Sequence, residues 1–312
     1  VDIIVLIIII VLIFINLTSM LNKQIQLHIF LLFTIKLVFA QDRSLELDNF
    51  LDSNICNGCN LSNINLSDIN LDNAELENTN LANTNFSDST LVNASLKNST
   101  ITAANFKNSN LRYTSFQSAK LDDSDLMDAD LSYSNLSNSS IRNTSLKNTI
   151  LDEAELNNAW ANNINISQSS LVKAGMKNIV MRSSVLSMSN FSEANIEDGD
   201  LSHSDAHGSV FVDTKLIDAQ FIKSNLRQSN FMNADLSNTN FSSADLSGTD
   251  FTGAKLINTN FFNADLRYSN LRHAKILNIN IDKAVLCKTK YPWVLETTIV
   301  NNHIYQFVII IN

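Results

Sequence analysis

The stretch FMNADLSNTNFSSADLSGTDFTGAKLINTNFFNADL, residues 231–266, decides the fold. A large apolar residue occupies Phe231, Leu236, Phe241, Leu246, Phe251, Leu256, Phe261 and Leu266, every fifth position. Followed outward, this register holds from Leu61 to Leu286 with no insertion or deletion. Its 46 central sites are 26 Leu, 10 Phe, 6 Ile, 2 Met and 2 Ala. Two residues before each lies a second column, Cys59 to Ala284, in which 40 of 46 members are Ala, Ser, Thr or Gly. Asn and Asp are common between the two columns, as at Asn80 and Asp125. They are common again two residues after each central site, as at Asn63 and Asp128.

A helix cannot use a period of five, because at ~100° per residue the apolar positions wander round the cylinder. A single strand fails too, since an odd period sends successive apolar residues to opposite faces. The pattern works if each unit is a short extended segment followed by a corner. The small and central residues, two apart, then both point inward. Asn and Asp suit the corners because their side chains bond nearby backbone and tolerate left-handed φ. From Phe211 to Leu266, Phe alternates with Leu, so residues 20 apart match (Phe191, Phe211, Phe231, Phe251). A square coil of four units fits this alternation, with Phe on two opposing walls; a period of ten fits it as well. The expected class is all-β, a quadrilateral β-helix (β-solenoid) of about 11 coils.

The run ADLSNTNFSSADLSGTDF (Ala234–Phe251) resembles the pentapeptide-repeat proteins, whose unit is written A(D/N)LXX. The resemblance covers Cys59 to about Thr289. It implies a right-handed four-sided solenoid with two residues of each unit inward and three outward. The register loosens between Ala159 and Val210, where Ala161, Met176, Met181 and Ala206 take central sites and Ile164 and Ile179 take small ones. Volume exchange among these residues is the bland account of that stretch; a selected bend or contact site is the other.

The repeats fill 59–289, with 41–58 expected as an N-terminal cap and 290–312 as a C-terminal cap or tail. Before them, MLNKQIQLHIFLLFTIKLVFAQ (20–41) has a basic start, an apolar stretch and small residues at Val38 and Ala40. That is the pattern of a signal peptide, residues 20–40, cleaved after Ala40. Residues 1–19 read as an upstream extension, and 13 apolar residues from Ile3 to Ile15 are too few to span a bilayer. The expected location is periplasmic or extracellular, with no stable membrane span in the mature chain. An uncleaved leader would instead leave the protein membrane-anchored.

Export bears on the cysteines. CNGC places Cys56 and Cys59 where the repeats begin. A redox motif would want a βαβ context, and zinc would want two further ligands. In an oxidising compartment a small Cys56–Cys59 disulfide closing the first coil is expected, because a solenoid end needs capping. Secreted proteins of the resembled family often begin with a similar Cys-x-x-Cys. Cys287 is left over, within AVLCKTKYPW.

No catalytic residue, cofactor site or metal site is expected. Carboxylates are scattered beside lysines, His203 and His207 fall on different outward positions, and the six glycines form no phosphate loop. The chain is therefore read as non-enzymatic, with no small-molecule substrate. From Gln41 onward it carries 20 Lys/Arg and 30 Asp/Glu, a net of −10, which disfavours direct nucleic-acid binding. The leading expectation is an exported structural or protein-binding scaffold. The resemblance supplies a rival, an acidic DNA mimic that inhibits or protects DNA gyrase or another topoisomerase. Mixed charge in the column Lys215, Asp235, Lys255, Lys275 and the leader both count against it. Outward apolar residues suggest a protein partner or self-association: Trp160 with Val180, and Ile217, Ile222, Ile257 and Phe262 around one corner.

Overall fold

A computed structural model describes residues 45–292. The expectations for 1–19 and 20–40 lie outside them, as does the tail beyond residue 292. Contacts divide the chain into two compact units, meeting between Asp52 and Ser53. The first unit holds most of α1, a helix over 45–53, in which Phe50 is fully buried. Leu47, Phe50 and Leu51 carry the i, i+3, i+4 spacing of one helical face. Asn54 ends α1 in the left-handed region, φ 59°.

The second unit repeats one local structure. Residues 20 apart pair as parallel bridges, from Ile55 with Glu75 to Asn270 with Lys290. Four five-residue units therefore complete each circuit. Each wall contributes a single bridging residue, too little for a conventional strand. Pairing widens only at β1 (Lys255–Ile257) and β2 (Lys275–Leu277), which run parallel with Lys255 opposite Lys275. The all-β expectation thus needs refining: the sheet character lies in ladders of single residues, and a helix precedes them.

The corners explain the period. The carbonyl of a central residue accepts from the N–H three residues on, as Leu71 does from Ala74 at 3.1 Å. The residue two after each central site has positive φ, at all 46 such positions from Asn63 to Lys288, and Gly58, two after Cys56, does the same. This is the left-handed third residue of a type II turn, which favours Gly and Asn. Remaining backbone groups pair between coils: Leu61 N–H donates to Asn80 O at 2.9 Å, and Asn80 N–H to Cys59 O at 2.9 Å. Most of the described backbone polar groups are thus paired without a broad sheet.

Central residues from Leu61 to Leu271 are no more than 3% exposed. Phe191, Phe211, Phe231 and Phe251 stack at centroid distances of 4.9, 4.7 and 5.4 Å. Phe221, Phe241 and Phe261 stack likewise, and the two columns meet edge to face at 5.7–6.2 Å. Those contacts place the two Phe columns on opposing walls. In the loose middle stretch, Ala161, Ile164, Met176, Ile179, Met181 and Ala206 are all no more than 1% exposed.

Most Ser and Thr in the small column have a task that Ala cannot perform. Thr84 donates its hydroxyl to Leu61 O at 2.7 Å, and Thr239 to Leu216 O at 2.7 Å, each reaching the corner carbonyl of the preceding coil. The Asn/Asp column before each central site caps the next corner, as Asn230 Oδ1 accepts from Met232 N–H at 2.9 Å. Where that position is Glu75, Thr90, Ser140, Ser170, Gly175 or Val180, the cap comes from the coil before. Asn57, Asp72, Asp122, Asp152, Asn157 and Asn162 then accept from the N–H twenty residues on.

Candidate functional surface

Function must be sought on the outer walls, because inward residues are spent on packing. Cys56 and Cys59 lie at the first corner with sulfurs 2.06 Å apart, at disulfide distance. Gly58 takes the left-handed position between them, φ 77°, where a side chain would be strained. Cys287 is exposed and free. With Cys56 and Cys59 placed together, no described cysteine is left to pair with it.

Trp160 and Val180 are bridge partners on one wall, and the indole is 58% exposed. The other apolar group is more dispersed than the sequence suggested. Ile217 and Ile222 flank one wall, Ile257 and Phe262 flank it two coils on, and Ser237 and Ser242 stand between them in the same two columns. The residues make two pairs rather than one patch. Phe262 is 37% exposed, while the three isoleucines are half-buried. Sequence reasoning missed a further cluster: Tyr113 and Tyr133 stack at 4.9 Å in two left-handed corner positions, with the Arg112 guanidinium 5.7 and 5.6 Å from their rings. Writing out the corner column at 20-residue spacing would have found it.

Charged groups pair mostly between coils. Arg142 meets Asp122 at 2.7 Å, Lys255 meets Asp235 at 2.9 Å and Lys107 meets Asp125 at 2.9 Å; Arg182 also pairs with Asp200. Partial burial alone would raise the Asp122 carboxyl, but hydrogen bonds from Arg142 and Ser140 outweigh it and hold it below the ordinary value. Asp200 and Asp235 are lowered in the same way by Arg182 with Ser202 and by Ser237 with Lys255. At Asp265 the hydrogen bond from Arg267 is the largest influence, and the carboxyl is again lowered. His207 Nδ1 lies 3.0 Å from Asp205 Oδ1, and His203 occupies an exposed corner. Among the described residues no group of three His, Cys, Asp or Glu is placed to hold a metal ion. No described helix is long and apolar enough to cross a membrane.

Comparison with known families finds eight copies of the pentapeptide repeat, lying within 59–168 and 189–282. This chain belongs to the pentapeptide-repeat family. The fold of that family is a right-handed β-helix. The unmatched gap between the two segments falls in the loose stretch around Met176 and Met181. Among solved structures, HetL from the cyanobacterium Nostoc, a protein involved in heterocyst differentiation regulation, is 22% identical. The match covers 75% of this chain and 89% of HetL, with a TM-score of 0.35. Full-length QnrB1, a plasmid-mediated fluoroquinolone resistance protein, is 17% identical over 58% of this chain and 88% of its own, at a TM-score of 0.45. Rfr23 from the cyanobacterium Cyanothece is 19% identical over 54% and 99%, at 0.14. A search of curated proteins finds no match.

Proposed function

We propose that this chain is an exported, non-enzymatic scaffold that binds other proteins through its walls. Pentapeptide-repeat proteins are in general scaffolds without catalytic activity. The observation that carries the export reading is the Cys56–Cys59 pair at disulfide distance, which an oxidising compartment would preserve. The leader-like residues 20–40 support it. At four units per circuit the 46 units of 59–289 would wind into about 11 coils, a long surface relative to chain length, and that supports a binding role. Trp160 with Val180, and the pairs Ile217/Ile222 and Ile257/Phe262, are the proposed contact points for a partner or a second copy.

A topoisomerase-binding acidic mimic is the second reading, and the net charge of −14 over residues 41–250 favours it. The interleaved Arg and Lys that pair with those carboxylates weigh against it. The full chain expressed in a bacterium should appear in the periplasm, begin at Gln41 and offer one alkylatable thiol. Cytoplasmic retention with three free thiols would overturn the export reading. Inhibition of gyrase supercoiling by the purified protein would replace the scaffold with the mimic.

A further inference from the structure

The net charge of −10 from Gln41 onward hides a polarity along the repeats. Residues 41–250 carry 13 Lys/Arg and 27 Asp/Glu, whereas residues 251–292 carry 7 Lys/Arg and 2 Asp/Glu, a net of +5. The cations concentrate in the last described coil, 271–290, where Arg272, Lys275, Lys283, Lys288 and Lys290 are exposed together with His273. None of the five forms an ion pair among the described residues. Lys283 and Lys288 stand in left-handed corner positions, φ 60° and 58°, where Asn, Asp or Gly would cost less.

The same coil is apolar where the others are sealed. Ile276, Ile281 and Leu286 occupy central sites yet are only half-buried, and the small column takes Ile279 instead of Ala or Ser. Around them Tyr268 is 58%, Val285 47%, Tyr291 44% and Leu277 39% exposed. Lys283 and Lys288 lie 5.3 and 5.2 Å from the rings of Phe262 and Tyr268. An apolar face rimmed by flexible cations and aromatic rings matches the headgroup boundary of a bilayer. Aliphatic groups enter it, tyrosines sit at its level and ammonium groups reach lipid phosphates. An acidic protein would satisfy the cations but not the apolar face, and nucleic acid would leave the aliphatic groups in water.

We propose that the C-terminal end of the repeat stack docks on an anionic lipid surface, holding the acidic coils away from it. This goes beyond the scaffold reading and does not depend on export. Cys287, the free thiol within the basic coil, provides a local probe. The full chain labelled there with an environment-sensitive fluorophore should show blue-shifted, brighter emission on adding phosphatidylglycerol vesicles. Phosphatidylcholine vesicles or soluble glycerol phosphate should produce no change, and high salt should reverse the effect. A label on Gln117→Cys, in a Cys287→Ser background, should not respond, which separates end docking from attachment through residues 1–40. Joint reversal by Lys275→Glu, Lys283→Glu and Lys288→Glu should raise the half-maximal lipid concentration on the order of tenfold or more, with the circular dichroism spectrum unchanged. The proposal is overturned by an unresponsive Cys287 label, by equal response to neutral vesicles, or by indifference to the charge reversals. A response to duplex DNA, or to raised protein concentration without lipid, would overturn it equally.

Discussion

Replacing Phe231 tests the packing of the solenoid where it is densest. The ring is fully buried, stacked on Phe211 at 4.7 Å and on Phe251 at 5.4 Å, and it meets Phe221 and Phe241 edge-on at 6.0 and 5.7 Å. Truncating a core Phe to Ala costs ~3–5 kcal/mol. Each aromatic pair adds ~0.5–1.5 kcal/mol beyond area, so four broken pairs place Phe231→Ala at or above the top of that range, about 5 kcal/mol. Phe231→Leu keeps most of the volume, and the same column already accepts Leu at Leu91, Leu131 and Leu171. Losing the four ring pairs alone, at the low end of the per-pair figure, should cost about 2 kcal/mol. Urea unfolding followed by far-ultraviolet circular dichroism would measure both. Because each coil contacts only its neighbours, Phe231→Ala should also separate the C-terminal coils into an earlier transition. Equal effects for Ala and Leu, both below about 1 kcal/mol, would refute the reasoning.

Three further outcomes follow from the hydrogen bonds and charges. Asp72→Ala removes the acceptor for both Val92 N–H and the Thr90 hydroxyl and should cost about 1 kcal/mol. Thr90→Asn should restore most of that loss, because it puts a cap at the usual position; additive losses in the double variant would refute the relay. The buried Ser134 and Ser139 hydroxyls have no partner, so Ser134→Ala and Ser139→Ala should be neutral or stabilising, while Thr84→Ala should lose about 1 kcal/mol in thermal or urea melts. Asp122, Asp200, Asp235 and Asp265 are lowered from 3.8, so their stabilisation is complete above that value and drains away as pH falls through their lowered values. The melting temperature should fall on acidification below that value, and converting all four to Asn should flatten the fall.

Much of this architecture could be read from residue types alone because one local rule repeats. A five-residue period excludes regular helix and strand, and the inward columns and the Asn-rich corners follow from it directly. The 20-residue spacing of Phe191, Phe211, Phe231 and Phe251 agreed with their stacking, but the Phe/Leu alternation fitted a period of ten equally, and only the closed coil decides between them. The six caps donated between coils were harder to see, since Asp72 and Val92 become neighbours only once the coil is closed. Helix α1 was overlooked although Leu47, Phe50 and Leu51 carry its spacing, because attention to the period of five masked a short 3.6-residue pattern. On the surface, a column-by-column reading would have shown Ser237 and Ser242 dividing the apolar group. Averaging charge over the whole chain hid the basic last coil.

Disulfide trapping measures the register of the coil most directly. In a Cys287→Ser background, Asn225→Cys with Asp245→Cys joins bridge partners on adjacent coils, whereas Asn225→Cys with Asp235→Cys joins residues ten apart. Bridge partners stand about 5 Å apart, within disulfide range, while residues ten apart face opposite ways across the core. Mild oxidation should cross-link the 20-residue pair readily and leave the ten-residue pair as thiols. Efficient cross-linking at ten, or none at twenty, would contradict a four-sided coil.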